Sequence, residues 1–190
     1  MKPRFLIDAD EVLANFVDPA AEIVSRVLGQ PWTIDDAPKD TWDMFSGLPE
    51  EVMREVDAAV DSPGWCLGLE PYPGTQDLVT NLRKLCEVFV VTSPRLAAPE
   101  WVFERNDWLR LHFGFDSSHV IHTSAKHVCV GAFFLDDNPD HVKKWQEQPY
   151  NAKGLGMLWT TKHNKRLQGH DDLRVRSKDE VLSLVVSRLV

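Results

Sequence analysis

Three short apolar runs in this chain each end in two polar side chains, and this pattern limits the fold more than any other feature. The runs cover residues 5–7, 88–91 and 133–135 and are rich in residues that favour β-strands. The polar pairs that follow are Asp8 and Asp10, Thr92 and Ser93, and Asp136 and Asp137. If these strands are parallel neighbours, their carboxyl ends bring the pairs to one sheet edge, where open α/β sheets bind ligands.

Helical patterns separate these runs, and two more short strands are expected. One helix is predicted to start with Asp18 as N-cap and Pro19 at its first position, and to end at Gly29. The other expected helices cover residues 49–60, 75–85, 99–113 and 140–147 and a last helix from residue 178, and the further strands cover 120–122 and 155–159. Alternating β and α units of this length predict an α/β fold with a doubly wound, mainly parallel sheet.

The segment between the first two strands has a different composition. Its helical patterns flank residues 31–47, which are rich in Asp, Pro and Trp. A chain of 190 residues with 43% hydrophobic content can bury one α/β core plus a small insertion. We therefore predict a helical cap at residues 16–70, inserted after the first strand, and a core formed by residues 1–15 and 71–190.

The closely spaced aspartates at the sheet edge indicate a cation site. Two adjacent carboxylates repel each other unless one is protonated or a cation compensates their charge. Oxygen ligands of this kind suit Mg²⁺. Lys126, in a polar turn before the third run, is expected to lie close enough to offset part of the negative charge.

In their order, these motifs resemble those of the haloacid dehalogenase superfamily of phosphohydrolases. That signature is Asp-x-Asp, then a strand-end Thr or Ser, then Lys, then paired acids. The resemblance extends over nearly the whole chain and is closer to the 5'(3')-deoxyribonucleotidases. The segments that carry it are residues 8–16, 69–74, 91–94, 135–137 and 159–164. It implies a Rossmann-like haloacid dehalogenase core and the hydrolysis of phosphate esters.

The resemblance also implies a role for each polar residue at the sheet edge. Asp8 would attack phosphorus and form an aspartyl-phosphate, and Asp10 would act as general acid and then general base. Magnesium would bind the Asp8 carboxylate, the Asp10 carbonyl and Asp137. Asp136 would orient a metal-bound water or the lysine. The phosphate-binding residues would be Thr92, Ser93 and Lys126.

Aromatic residues in or beside the predicted cap are candidates for contact with a nucleobase. The candidates are Phe16, Trp42, Phe45 and Trp65. Stacking on a base contributes about 1–3 kcal/mol. Phe16 is the strongest candidate because it matches the aromatic residue that ends the first motif of the similar family.

One residue departs from the family pattern, because Glu11 stands where glycine usually follows the second aspartate. Glutamate adds bulk and a negative charge beside the expected phosphate site. We expect its side chain to point away into solvent. The alternative is a functional effect, either weaker substrate binding or altered specificity.

Net charge narrows the class of binding partner, and cysteine content bears on the cellular location. A formal net charge of -8 argues against nucleic-acid polymers and anionic membranes as partners. The three cysteines are widely spaced and are expected to be reduced, as in cytoplasmic proteins. No apolar stretch approaches membrane-spanning length. A cytoplasmic location is therefore expected, and a homodimer is left open.

These observations predict a magnesium-dependent phosphomonoesterase that hydrolyses deoxyribonucleoside or ribonucleoside 5'-monophosphates through an aspartyl-phosphate. One alternative is a phosphatase of the same superfamily for another small ester, such as a sugar phosphate. Another is a phosphate-binding protein whose turnover is impaired by Glu11. A receiver-type phosphoacceptor is disfavoured, because there the paired acids precede the acceptor aspartate in sequence.

Overall fold

The computed structural model describes residues 2–165, 167 and 174–189. The strands in this part of the chain are β1 (Arg4–Ile7), β2 (Glu87–Thr92), β3 (Val120–His122), β4 (Phe133–Asp136), β5 (Leu155–Trp159) and β6 (Arg174–Val175). They form one parallel sheet in the order β3-β2-β1-β4-β5-β6. The α-helices are α1 (Val17–Leu28), α2 (Glu50–Val60), α3 (Thr75–Leu85), α4 (Trp101–Phe113), α5 (Pro139–Gln146) and α6 (Lys178–Leu189).

The centre of the sheet brings the three predicted runs together. Ile7 of β1 is in register with Val90 of β2 on one side and with Leu135 of β4 on the other. The strand order reverses at β1, and this is the position where open α/β sheets form a crevice at their carboxyl ends. The polar pairs that follow β1, β2 and β4 therefore meet at one edge, as predicted.

Apolar side chains cover both faces of the sheet, which confirms the doubly wound α/β architecture. Side chains alternate between faces along a strand. Phe5 and Ile7 accordingly join a cluster with residues of α3, α4 and α6. Leu6, between them, joins a separate cluster with Val142 and Trp145 of α5.

A third apolar cluster is formed mainly by residues of the predicted cap. Helices α1 and α2 pack against each other and around the short 3-10 turn Ile34–Asp36. Their buried residues include Val24, Val52 and Val56, and Trp101 of α4 joins the same cluster. The residue boundaries of the cap remain a prediction.

The first helix begins differently from the prediction. Helix α1 starts at Val17 with Phe16 as N-cap, and the Phe16 side chain makes no capping hydrogen bond. Asp18 lies inside the first turn, so the prediction of Asp18 as N-cap was wrong. The carboxylate of Glu11 instead accepts the first N–H groups of the helix. The predicted end at Gly29 is confirmed by its left-handed conformation.

Other helix and strand predictions agree closely with the structure. Helix α3 covers the predicted residues, and α2, α4 and α5 differ from prediction by one or two residues at their ends. Strand β6 was not predicted, because two residues carry no periodic signal. None of the helices in the described ranges is long and apolar enough to cross a bilayer.

Candidate active site

A buried ion-pair cluster lies at the carboxyl edge of the sheet. Asp8 follows β1 directly, and its backbone N–H donates to the carbonyl of Leu135. Lys126 Nζ lies 2.7 Å from Asp8 Oδ1 and 2.8 Å from Asp136 Oδ2. All three of these ionisable side chains are buried. The lysine therefore joins the ends of β1 and β4, as its predicted charge-offsetting role requires.

Burial and neighbouring charges compete in setting the pKa values of this cluster. Burial raises the pKa of Asp8 to about 8 against the attraction of Lys126, and the charges of Asp136 and Asp137 act in the same direction as burial. For Lys126, burial is outweighed by the two carboxylates, so its pKa lies above the ordinary value. Additional positive charge beside Asp8 would favour its ionised form.

The two acids after β4 have different environments. Asp136 receives the Asn138 N–H at 2.8 Å as well as the lysine, and Lys126 and His141 outweigh burial to hold its pKa below the usual value. Burial and the charge of Asp136 raise the pKa of Asp137 well above its usual value. Asp137 Oδ2 is buried and makes no hydrogen bond within the described residues. His163 Nε2 lies 3.0 Å from this oxygen without forming a hydrogen bond to it, so a cation could bind Oδ2 without displacing one.

The cluster fits a hard divalent cation. Asp8, Asp136 and Asp137 each offer an oxygen, and these oxygens lie within 4.8 Å of one another. Three carboxylate oxygens with only one lysine among them form a donor set that suits Mg²⁺. Both Asp136 oxygens already accept hydrogen bonds. Asp8 and Asp137 are accordingly the better direct ligands.

Asp10 has a cationic partner that the sequence reasoning missed. Arg105 Nη2 lies 2.6 Å from Asp10 Oδ1, and the arginine side chain is fully buried in α4. Its guanidinium lies 5.1 Å from the ring centroid of Trp101 and 5.4 Å from that of Trp108. The sequence did contain a signal for a buried arginine. Arg105 lies at helical spacing from Trp101, Trp108 and Leu109, and thus on an apolar face of the helix.

A cleft of about 260 Å³ opens above this edge, between the sheet and residues 16–70, which are called the cap segment below. Asp8, Asp10, Ser93, Lys126 and Asp137 all line it. Thr92 ends β2 but is fully buried, and its hydroxyl makes no hydrogen bond within the described part of the chain. The structure therefore brings most of the predicted edge residues to this cleft, while Thr92 and Asp136 are fully buried and do not line it.

The four predicted aromatic residues divide into two groups. Phe16 and Trp42 line the cleft. Phe45 stacks on Trp32 inside the cap segment, with ring centroids 5.9 Å apart. Trp65 does not line the cleft either, but packs edge-on against Phe16 at 6.3 Å. The geometry therefore leaves Phe16 and Trp42 as the candidates for base contact.

The structure overturns the expectation that Glu11 is solvated. Its side chain is buried, and Oε1 accepts the N–H groups of Phe16 at 3.0 Å and Val17 at 2.9 Å. Oε2 accepts the Tyr72 hydroxyl at 2.8 Å. Burial raises the pKa of Glu11 to about 7, against the effect of the Val17 N–H. The partners of Glu11 are backbone N–H groups at the start of a helix and a tyrosine 61 residues away. The prediction was wrong because the sequence around Glu11 does not show these partners.

Two further residues contact Asp137 from the loop after β5. His163 Nε2 lies 3.0 Å from Asp137 Oδ2, and the histidine ring packs edge-on against Trp42 at 5.9 Å. Asn164 Nδ2 donates to the Asp137 carbonyl at 2.7 Å. Both residues lie in segment 159–164, which carries part of the family resemblance.

Known proteins of similar sequence are nucleotidases. The family model described as "5' nucleotidase, deoxy (Pyrimidine), cytosolic type C protein" matches residues 2–190. The cytosolic-type 5'(3')-deoxyribonucleotidase of Homo sapiens is 29% identical over 170 residues, which are 86% of this chain and 83% of the human protein. The mitochondrial 5'(3')-deoxyribonucleotidase of Mus musculus is 26% identical over 171 residues, which are 87% of this chain and 76% of that protein.

Solved structures show the same fold. A haloacid dehalogenase-like hydrolase from Streptococcus pneumoniae superimposes with a TM-score of 0.61 at 15% identity, covering 96% of this chain and 98% of that chain. At this identity the likeness establishes the architecture alone. It confirms the predicted haloacid dehalogenase-like core.

Proposed function

The chain belongs to the family of 5' nucleotidases, deoxy (pyrimidine), cytosolic type C, and is thus a phosphoric monoester hydrolase; from this premise we propose that it hydrolyses nucleoside 5'-monophosphates with magnesium through an aspartyl-phosphate. One observation carries the proposal. Asp8 and Asp137, from two neighbouring strand ends, face one cleft together with the lysine that neutralises part of their charge. This is the arrangement that phosphoryl transfer to a carboxylate requires.

Asp8 is the proposed nucleophile. Its carboxylate oxygen attacks phosphorus, and the bond between phosphorus and the nucleoside oxygen breaks as the new bond forms. Water then attacks the aspartyl-phosphate and releases inorganic phosphate and free Asp8. Lys126 holds one oxygen of Asp8 at 2.7 Å, so the carboxylate has a fixed orientation before substrate binds.

Asp10 is the proposed acid and base. It lines the same cleft as Asp8 and is more exposed, so it can reach the leaving oxygen. It donates a proton to that oxygen in the first step and takes a proton from the attacking water in the second. Arg105 holds one Asp10 oxygen at 2.6 Å and leaves the other available for the proton.

Magnesium would be held by the carboxylates of Asp8 and Asp137 and by the carbonyl of Asp10. When bound, it would neutralise charge on the phosphate and help to orient it for in-line attack. Asn164 donates to the Asp137 carbonyl and His163 Nε2 lies 3.0 Å from its carboxylate, so both would fix the position of that ligand.

The rest of the cleft supports a nucleotide as substrate. Ser93 and Lys126, which line the cleft, would bind phosphate oxygens at one end, together with the buried Thr92 hydroxyl, which has no hydrogen-bond partner among the described residues. At the other end, Phe16 and Trp42 offer aromatic faces to a base. A cytoplasmic location is also proposed, in keeping with the cytosolic type of the human relative.

The position of Glu11 weakens the alternative of an impaired phosphate-binding protein. That alternative supposes that the Glu11 carboxylate crowds the phosphate site. Glu11 does line the cleft, but both of its oxygens are committed to hydrogen bonds with α1 and Tyr72. A sugar-phosphate phosphatase would use the same Asp8 chemistry, and the substrate panel below distinguishes it.

The test is phosphate release from a panel of monophosphates, with and without Mg²⁺. The panel contains ribonucleoside and deoxyribonucleoside 5'- and 3'-monophosphates, with ribose 5-phosphate as the base-free control. We expect magnesium-dependent release with a preference for 5'-nucleotides. Equal rates on ribose 5-phosphate would contradict the nucleotidase proposal, and release that Asp8→Asn does not abolish would contradict the mechanism.

A further inference from the structure

We propose that Glu11 is a positioning residue that sets substrate specificity by holding Phe16 in the cleft. The inference rests on the proposed function and deepens it. It concerns the residue at which this chain departs from the glycine usual in the similar family. The structure shows a buried carboxylate with three hydrogen bonds where that glycine would have no side chain.

The backbone of Glu11 is adapted to this role. Its φ angle is 59°, and among the described residues it is the sole non-glycine residue with positive φ. Residues other than glycine rarely adopt this left-handed backbone conformation. Here it turns the side chain back toward the start of α1. The hydrogen bonds of the carboxylate offset the backbone strain.

The carboxylate joins both connections between the sheet core and the cap segment. The outgoing connection passes Asn15, whose N–H donates to the Glu70 carbonyl at 2.9 Å, and the returning connection passes Tyr72, whose N–H donates to the Leu13 carbonyl at 2.8 Å. Glu11 Oε1 binds the outgoing chain and Oε2 binds the returning tyrosine. Glu11 therefore adds a side-chain connection between the start of α1 and the core, beside these backbone bonds and the Asn15 Oδ1 that accepts the Asp18 N–H at 3.2 Å.

Phe16 is the residue whose position this arrangement controls. Its backbone N–H donates directly to Glu11 Oε1, and its ring lines the cleft while Trp65 supports it edge-on. Without the carboxylate, Phe16 and Val17 would lose the acceptor for their N–H groups, and the start of α1 would keep the Asn15–Asp18 bond but be held less firmly at Phe16. The aromatic face would then no longer have a fixed position relative to the phosphate.

The experiment compares Glu11→Gly with Tyr72→Phe on two substrates. Glycine suits a φ of 59°, so Glu11→Gly removes the carboxylate and keeps the backbone. Tyr72→Phe, the matched control, removes one bond to Glu11 and leaves both bonds at the start of α1. The substrates are a nucleoside 5'-monophosphate and ribose 5-phosphate, which has the same sugar phosphate without a base.

We expect Glu11→Gly to raise KM for the nucleotide about tenfold, because part of one stacking contact between Phe16 and the base would be lost. We expect kcat/KM for ribose 5-phosphate to stay within about twofold, because the base-free ester makes no such contact. Tyr72→Phe should change neither by more than about threefold, since the two bonds at α1 remain. In a Phe16→Ala background, Glu11→Gly should have no further effect on KM, because Glu11 acts through that ring.

Each contrary outcome has a distinct meaning. Equal losses on both substrates, or an undiminished effect of Glu11→Gly in the Phe16→Ala background, would overturn the positioning role. If the parent enzyme does not prefer the nucleotide to ribose 5-phosphate, both the proposed function and this inference fail. If Glu11→Gly does not fold, Glu11→Asn decides by the same criteria, because asparagine tolerates positive φ but is too short to reach the start of α1.

Discussion

The sheet edge and the cap segment contribute to one cleft by different physical means. At the edge, Lys126 joins the ends of β1 and β4 through two buried ion pairs of 2.7 and 2.8 Å. The cap segment contributes Phe16, Trp42 and Met44, whose contacts are mainly apolar. Its ion pairs to the core include those of Arg95 with Asp57 and Asp61, which are partly exposed.

Because of this difference, we expect the sheet edge to carry the reaction and the cap segment to select the substrate. Buried charges have few alternative arrangements, because leaving one unpaired is costly. They fix reacting atoms within a fraction of an ångström, as a reaction requires. Aromatic faces are less directional and tolerate small shifts. Changes at the edge should therefore affect turnover, and changes in the cap segment should affect the choice of substrate.

The largest effect is expected from Asp8→Asn. The amide is a far weaker nucleophile, so kcat should fall by at least about 10⁴-fold. Nucleotide binding, measured by calorimetry in Mg²⁺, should persist because the cap segment is unchanged. Residual turnover near the parent level would remove Asp8 from the mechanism and break the division between the two regions.

Lys126→Met should destabilise the fold as well as reduce turnover. It leaves Asp8 and Asp136 buried without their cation, at a cost of about 3–5 kcal/mol in the free energy of unfolding. Urea unfolding measures this. The double variant Lys126→Met with Asp136→Asn should recover part of the loss, and no recovery would argue against the ion pair as the cause.

Arg105→Met tests whether the buried arginine supports proton donation by Asp10. We expect kcat on a nucleotide to fall about 10²-fold, the lower end of general acid catalysis. An activated ester such as p-nitrophenyl phosphate needs little leaving-group protonation and should lose much less. Equal losses on both esters would indicate that Arg105 is structural only, and thermal unfolding of the variant shows how much stability is lost.

The smallest expected effects come from a matched aromatic pair in the cap segment. Trp42→Ala removes a ring that lines the cleft and should raise KM for the nucleotide about tenfold, with kcat little changed. Phe45→Ala removes a ring that packs on Trp32 and should lower thermal stability without changing KM. Similar KM values for the two variants would contradict the assignment of the cleft wall.

Local patterns were sufficient for most elements and for the residues at strand ends. Residues 75–85 form a helix as predicted, since their apolar spacing and the preceding glycine act within a few turns. Asp8, Ser93, Lys126, Asp136 and Asp137 meet because parallel strands end at a common edge, a rule that needs only the order of motifs. Phe16 and Trp42 could not be separated from Phe45 and Trp65, since these residues lie at a helix N-cap, a bend and turns, where no periodic pattern tells which side a residue presents to the cleft.

Short-range periodicity and the order of the motifs were enough to predict the α/β architecture, the edge at which the acids gather and the similar family. Tertiary structure alone decided the partners of Asp10 and Glu11. Arg105 lies 95 residues from Asp10, and Tyr72 lies 61 residues from Glu11. A buried charge takes whichever counter-charge or donor the folded chain places beside it, and no local pattern records that contact.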